Sequence, residues 1–234
     1  MIKNTIRDKP LPPGQVEIAT FPRFGLSKFS DRFPTETEKI AVDIEVGGEK
    51  VVQLSTELRR LEQVQQVSDF HCVTTWTKRN VNWSGYPFRE FYEELVIKHI
   101  PTNANINFVV FRCQDGYRVG MYLEDLMRSD ILLADKMDGQ PLSIAHGAPL
   151  RLVAPPHYGY KNAKHINKIE FLQNAENYQP AGLKVMDHPR ARVELEERGR
   201  IFPGWLLRRL YRPLIKSTVA KFNRALVKHE SGIR

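Results

Sequence analysis

Apolar and polar residues alternate with a period of two along much of the chain, which predicts short strands. In "KIAVDIEVGGEKVVQLS" the alternation runs on both sides of Gly47-Gly48, as in a hairpin. "VQQVSDFHCVTTW" reads as a strand running into a loop and "INFVVFRC" as a buried strand. "DGYRVGMY" turns at Asp115-Gly116 into another strand, and "ILLADKMDGQPL", "APLRLVAPP" and "KNAKHINKIEFLQ" each contain one more. Helical spacing interrupts this series. "STELRRLEQV" places Leu58, Leu61 and Val64 on one face behind an N-cap at Ser55 or Thr56. "PFREFYEELVIKHI" opens on Pro87 and aligns Phe88, Phe91, Tyr92 and Leu95, and "LEDLMRSD" is a short helix. Residues 1–37 are rich in Pro, Phe and charge without a period, and read as an extended arm over the body. Short strands with interspersed short helices predict an α+β fold with mixed sheets.

Near the C-terminus the pattern changes. Pro203 and Pro213 can each start a helix, and Ile215, Val219, Phe222 and Leu226 share a face away from most of Lys216, Lys221, Arg224 and Lys228. The charge changes with it. Residues 188–234 hold 12 Lys and Arg against 4 Glu, whereas residues 1–187 hold 23 basic and 23 acidic side chains. The net charge of +8 therefore belongs to a basic extension, 188–234, on a neutral body, 1–187. A neutral body argues against nucleic acid as a partner. Such a helix packs on its own body or on a second subunit, or it lies on an anionic membrane through residues 202–234. The first of these is the default for a surface helix. The 41% apolar and 26% charged fractions are those of a soluble globular protein. The first fifteen residues lack an apolar signal core and a twin-arginine pair, so a cytoplasmic location with reduced thiols is expected.

Two stretches carry candidate chemistry. "SDFHCVTTWT" holds Cys72, one of two cysteines in the chain. By itself Cys72 reads as a buried thiol, as a zinc ligand beside His71, or as a nucleophile. No CxxC or HxxxH spacing supports zinc, and no local signature supports a nucleophile. The second stretch, 132–171, gathers His146, Arg151, Lys161 and Lys164 around a strand, with Gly147 and Gly159 in flanking turns. Arg and Lys near glycine turns suit a phosphate, though solvated cations at a strand entry would read the same way.

Taken together, "FHCVTTWTKRNVNWSGYPFREF" and "LLADKMDGQPLSIAHGAPLRLVAPPHYGYKNAKHINKIEF" resemble the molybdopterin-binding domain of the sulfite oxidase family. That family includes sulfite oxidases, plant-type nitrate reductases and the periplasmic methionine sulfoxide reductase catalytic subunit. The resemblance spans about Phe21 to Phe171. It implies a sulfite-oxidase-like fold and a molybdenum–molybdopterin cofactor, with Cys72 as the protein ligand to the metal and a catalytic residue. A soft thiolate suits a metal already held by the sulfurs of the pterin. The resemblance further implies that His146, Arg151, Asn162, Ala163 and Lys164 hold the pterin and its phosphate, and that Cys113 contacts the cofactor. Through "FPRFG" it places Arg23 near the metal as a second catalytic residue and Phe24 against the pterin.

The activity implied is oxygen-atom transfer on a small sulfur- or nitrogen-containing substrate, with an external redox partner. A non-catalytic binding protein attached through its basic tail is the alternative. Asp135 stands where sulfite oxidases are expected to carry an active-site tyrosine, and Thr74, Thr75 and Trp76 replace the arginines expected after the ligand cysteine. Both departures point from sulfite toward a neutral S- or N-oxide. The segment from Phe202 onward lies outside the resemblance and is expected to be dispensable for holding the cofactor.

Overall fold

The computed structural model describes residues 10–232. The first strands are β1 (Val16–Glu17), β2 (Val42–Val46), β3 (Glu49–Leu54), β4 (Val64–His71) and β5 (Trp76–Pro87). Further along are β6 (Phe108–Cys113), β7 (Arg118–Tyr122), β8 (Leu132–Met137), β9 (Gln140–Pro141), β10 (Arg151–Val153) and β11 (Ile166–Leu172). One sheet runs β1-β5-β8-β10, with β4 also on β5 and β9 on β8; the other runs β3-β2-β11-β6-β7. Parallel pairing of β1 with β5 and of β11 with β2 makes both sheets mixed. The α+β architecture expected from the pattern is present.

The main core lies between the sheets. Ile44, Phe111, Val119, Ile169 and Phe171 of the second sheet meet Tyr86, Leu133 and Leu152 of the first. Each such burial contributes about 1.5–3 kcal/mol. Pro87 starts α1 (Phe88–Glu90), which continues as a π turn (Phe91–Val96) and a 3-10 turn (Ile97–His99). This segment buries Phe88, Phe91, Leu95 and Val96 in the same core. The segment at "STELRR" is a 3-10 helix, Thr56–Arg60, and "LEDL" forms α2 (Leu123–Leu126).

The longest strand, β5, has no period-two signature in "TKRNVNWSGY". Pairing with β4, β8 and β1 imposes extended backbone where propensity is silent. A Cβ on Gly85 would sit 2.4 Å from the Leu133 carbonyl oxygen, so only glycine lets β5 approach β8 there.

The C-terminal helices α3 (Gly204–Tyr211) and α4 (Leu214–Glu230) follow Pro203 and Pro213 as the spacing predicts. They bury Leu207, Tyr211, Phe222 and Ala225 against the body. The division at 187/188 does not correspond to a gap in space. Ala191 and Val193 pack on Tyr158, and Arg198 is fully buried. Residues 188–200 are thus wrapped into the body, and only 204–230 is helical. From residue 10 onward the arm is irregular, with turns and bends, apart from β1 and a 3-10 turn at Ser27–Phe29; the first nine residues of the arm lie outside the described residues.

Candidate active site and cofactor cavity

Cys72 follows β4 and opens the turn, 72–75, that leads into β5. Its amide donates to the Trp76 carbonyl at 2.8 Å, and the Thr75 amide donates back to the Cys72 carbonyl at 3.1 Å. Thr75 sits at φ +90°, a conformation disfavoured for a β-branched residue and tolerable only where surroundings over-determine it. They do. Gln15 Nε2 also donates to the Cys72 carbonyl (3.1 Å), while Gln15 Oε1 accepts from Thr77 (3.0 Å). Arg198 donates from Nη1 to the Val73 carbonyl at 2.6 Å and from Nη2 to the Pro13 carbonyl at 2.8 Å. The turn is thereby pinned from the arm and from the C-terminal segment. Thr74 Oγ1 lies 3.1 Å from Cys72 Sγ. Burial pushes the Cys72 thiol up to about 11, against the opposing pull of Thr74 and Arg198.

Cys72 faces a cavity of about 300 Å³. Arg23, Phe24, Asn162 and Lys164 share its wall. Of the residues that the family resemblance assigns to the metal and cofactor, five therefore meet in one cavity. The others lie behind its wall. Arg151 is buried beneath Lys164, donating from Nη1 to the His146 carbonyl at 2.8 Å and stacking its guanidinium 4.6 Å from the Trp83 ring centre. Gly147 makes this closeness feasible: its φ of +112° favours glycine, and a Cβ there would sit 3.0 Å from Arg151 Cβ and 3.1 Å from Lys164 Cβ. The His146 ring packs tilted against Phe21 of the arm, with ring centres 4.7 Å apart. Ala163 and Cys113 belong to the core between the sheets. The thiol of Cys113, at the inward end of β6, is thus part of the core packing and not of the cavity wall. Asn162 is a wall residue whose amide is largely spent on its own loop, accepting from the Ala154 amide at 2.8 Å.

Arg23 donates from both terminal nitrogens, to the Ser30 and Arg32 carbonyls at 2.7 and 2.8 Å, and lies between the Phe33 and Phe222 rings. Only its Nε is left, and that atom is buried without a partner. Trp76 Nε1, in the same wall, is also buried without one.

The electrostatics are lopsided. Burial, then Arg151 and Arg23, lowers the Lys164 ammonium to about 7. Burial lowers Arg151 to about 9, and burial with Arg151 and Lys164 brings His146 down to about 3. Among the described residues none of Arg23, Arg151 and Lys164 forms a salt bridge; Asp115 is the carboxylate that acts on both Arg23 and Lys164. Unpaired buried cations cost free energy unless an anion joins them. With two orphaned N–H donors on the wall, the cavity fits an anionic ligand rich in acceptors. Among the described residues no group of three or more His, Cys, Asp and Glu is arranged to hold a metal ion. A metal at Cys72 would take its remaining ligands from such a bound group.

Two expectations are corrected here. Asp135 does not face the cavity; its carboxylate accepts from Gln63 Nε2 at 2.8 Å near the end of β8. The C-terminal segment is part of the cavity. Tyr211, Leu214, Thr218 and Phe222 line it, and Phe222 stacks on Phe24 with ring centres 6.5 Å apart. Arg198, whose distance in sequence hides its contact with the Cys72 turn, is a site residue that sequence reasoning missed.

The family model described as oxidoreductase molybdopterin binding domain matches residues 31–179. The chain is similar to the uncharacterized oxidoreductase YuiH of Bacillus subtilis, 29% identical over 50% of this chain and 57% of that one. It is 28% identical to the protein-methionine-sulfoxide reductase catalytic subunit MsrP of Xanthomonas axonopodis pv. citri, over 76% of this chain and 63% of that one. The chain thus spans 57% and 63% of the length of these two relatives. The sulfane dehydrogenase SoxCD of Paracoccus pantotrophus superposes with a TM-score of 0.48 and 16% identity, over 58% of this chain and 38% of that one.

Proposed function

The chain belongs to the oxidoreductase molybdopterin-binding domain family, and we propose that it transfers an oxygen atom to or from a small, uncharged sulfur-containing substrate, with Cys72 as the protein's ligand to molybdenum. The observation that carries this reading is a single buried thiol sharing a cavity with cations that have no salt-bridge partner. When bound, the cofactor supplies the two-electron redox chemistry; the protein supplies placement, charge and exclusion of water.

Lys164 and the underlying Arg151 neutralise the phosphate of the pterin, and the unpartnered Arg23 Nε and Trp76 Nε1 donate to acceptors on the same ligand. Binding an anion there returns the lysine to its charged form. Cys72 must lose its proton to ligate, and burial makes that proton hard to remove until a metal replaces it. Thr74 Oγ1, 3.1 Å from Sγ, orients the sulfur, and the pinned turn behind it fixes its direction.

The remaining wall favours an uncharged substrate. Phe24, Leu26, Leu183, Met186, Leu214 and Phe222 make much of it apolar. Arg198, the cation on the Cys72 turn, is committed to two carbonyls and to Glu196. A sulfite dianion would find little unspent positive charge there. The relative named a methionine-sulfoxide reductase supports a sulfoxide as the substrate class. The electron partner is external to this chain.

Protein expressed in a host that makes the cofactor tests the reading. Molybdenum and pterin are expected in equal amounts, with dye-linked reduction of a dialkyl sulfoxide and little oxidation of sulfite. Cys72→Ser is expected to keep pterin but lower turnover by about 10³-fold or more, which is roughly 4 kcal/mol of barrier. A normally metallated and active Cys72→Ser protein would overturn the ligand assignment. Fast sulfite oxidation would overturn the substrate class.

A further inference from the structure

The outer face of α3 is unlike the rest of the surface. Its inner face buries Leu207 and Tyr211, while Trp205 and Leu210 on its perimeter are 51% and 57% exposed. Ile201 and Phe202 precede them at 64% and 49%, and Leu214 follows at 52%. Five large apolar side chains thus stand in solvent within a short stretch. A scattered exposed leucine needs no explanation, but a contiguous run of this kind marks an interaction site.

Along the two helices the charge has one sign. Between Glu197 and Glu230 there is no acidic residue, and α3 and α4 with their linker carry Arg208, Arg209, Arg212, Lys216, Lys221, Arg224 and Lys228. Arg208 pairs with Glu196. Among the described residues the other six form no ion pair, and all are exposed. The Arg209 guanidinium lies 5.8 Å from the Trp205 ring centre, so cation and indole stand side by side.

We propose that this face docks on an anionic lipid surface. Phe202, Trp205, Leu210 and Leu214 would enter the boundary between headgroups and acyl chains, and Arg209, Arg212 and Lys216 would meet lipid phosphates. Apolar bulk with a tryptophan, flanked by arginine and lysine and free of acid, is the chemistry of a helix lying in the plane of a membrane interface. Each cation near such a surface adds attraction that a neutral bilayer does not provide. A second copy of the chain fits the face less well. A two-fold contact would bring together two like-charged sets of Arg209, Arg212 and Lys216, and residues 198–229 contain no carboxylate to separate them. No helix among the described residues is long and apolar enough to cross a membrane, so the attachment is interfacial. Leu214 also lines the cavity, whose wall includes the exposed Leu26 and Leu183. Docking through α3 would therefore bring the cavity rim close to the bilayer. The proposal stands whether or not the substrate assignment above is right.

Full-length, cofactor-loaded protein is centrifuged with vesicles of phosphatidylcholine alone and with vesicles of phosphatidylcholine and phosphatidylglycerol in equal parts. At least about tenfold stronger binding is expected to the anionic vesicles, falling as salt rises. Trp205 is a built-in reporter, because the other tryptophans, Trp76 and Trp83, are buried at 2% and 1% exposure. Its emission should move to shorter wavelength on binding.

Trp205→Ser with Leu210→Ser, and separately Arg209→Glu with Arg212→Glu, should each abolish most binding while leaving Tm and cofactor content unchanged, since all four side chains are exposed. Absent or equal binding to both vesicle types would overturn the proposal, as would wild-type binding by both double variants. So would a stable dimer in solution that the Trp205→Ser, Leu210→Ser variant dissociates, because the occupant of the face would then be a second copy.

Discussion

Two stretches of chain share the cavity wall and differ in kind. The stretch matched by the family model contributes Cys72, Asn162 and Lys164, with Arg151 behind: polar groups held by close backbone packing around Gly147. The stretch beyond it contributes Ala181, Leu183, Met186, Tyr211, Leu214 and Phe222, a largely apolar surface closed by helix packing. The first supplies the cations and the thiol that the proposed function assigns to the cofactor. The second controls what else can enter. On the reading proposed above, cofactor binding and substrate choice would fall to separate parts of one wall, and the second part lies outside the segment matched by the family model.

Removing the second stretch breaks the comparison most severely. Deleting residues from Phe202 onward exposes Phe24 and Arg23 and loses the buried Tyr211 and Phe222. Phe222→Ala alone should cost about 3–5 kcal/mol by loss of a buried aromatic. The truncated protein should release molybdopterin on dialysis, measured by pterin fluorescence and elemental analysis. Full retention would mean that the helices only cover a cavity already complete.

Substitutions in the first stretch come next. Lys164→Ala removes a charge-assisted bond worth roughly 1.5–3 kcal/mol, or about 10–100-fold in cofactor affinity, and Arg151→Ala removes the charge behind it and should weaken retention by less. Thermal unfolding of the cofactor-free forms should change little by comparison, or improve. Unchanged occupancy after dialysis in either variant would remove that residue from the phosphate site.

Arg198 joins the two stretches and tests whether they are independent. Arg198→Met should cut turnover by about tenfold while cofactor content stays near normal, because the Cys72 turn loses a support and not a ligand. Arg198→Lys should recover only part, since one ammonium cannot reproduce two directed bonds to the Val73 and Pro13 carbonyls.

The smallest effect is a pH dependence of the cofactor-free protein. Lys164 falls from its ordinary 10.5 to about 7 on folding, burial being the main cause. Between those values the unfolded chain binds a proton that the folded chain does not, so stability rises with pH across that window and levels off outside it. Lys164→Met should flatten this rise in Tm measured from about pH 7 to pH 10. Bound cofactor should flatten it too, by keeping the lysine charged.

Much of the fold was legible in the chain because its signals are local. The hairpin at Gly47-Gly48, the strands around Phe111 and Ile169 and the helices after Pro87, Pro203 and Pro213 follow from periodicity and turn chemistry within a few residues. Cys72, Arg23, Phe24, Asn162 and Lys164 were named from the sequence and meet in one cavity. β5 was not legible, because its extended backbone comes from neighbours on both edges. Nor was the direction in which a given side chain would face. Cys72 and Cys113 are equally plausible as a string of letters, yet one is in the cavity wall and the other in the core.

The sequence by itself determined the class of elements and the distribution of charge, and its family resemblance named the candidate residues for an anion and a metal. Only the tertiary structure decided that Asp135 points away from the cavity, that Arg198 reaches a carbonyl 125 residues earlier, and that the basic tail lines a cavity for which it was expected to be dispensable. The reason is physical. Periodicity and backbone preference act over a few residues, whereas burial and hydrogen-bond satisfaction are settled between segments that meet only once the chain has packed.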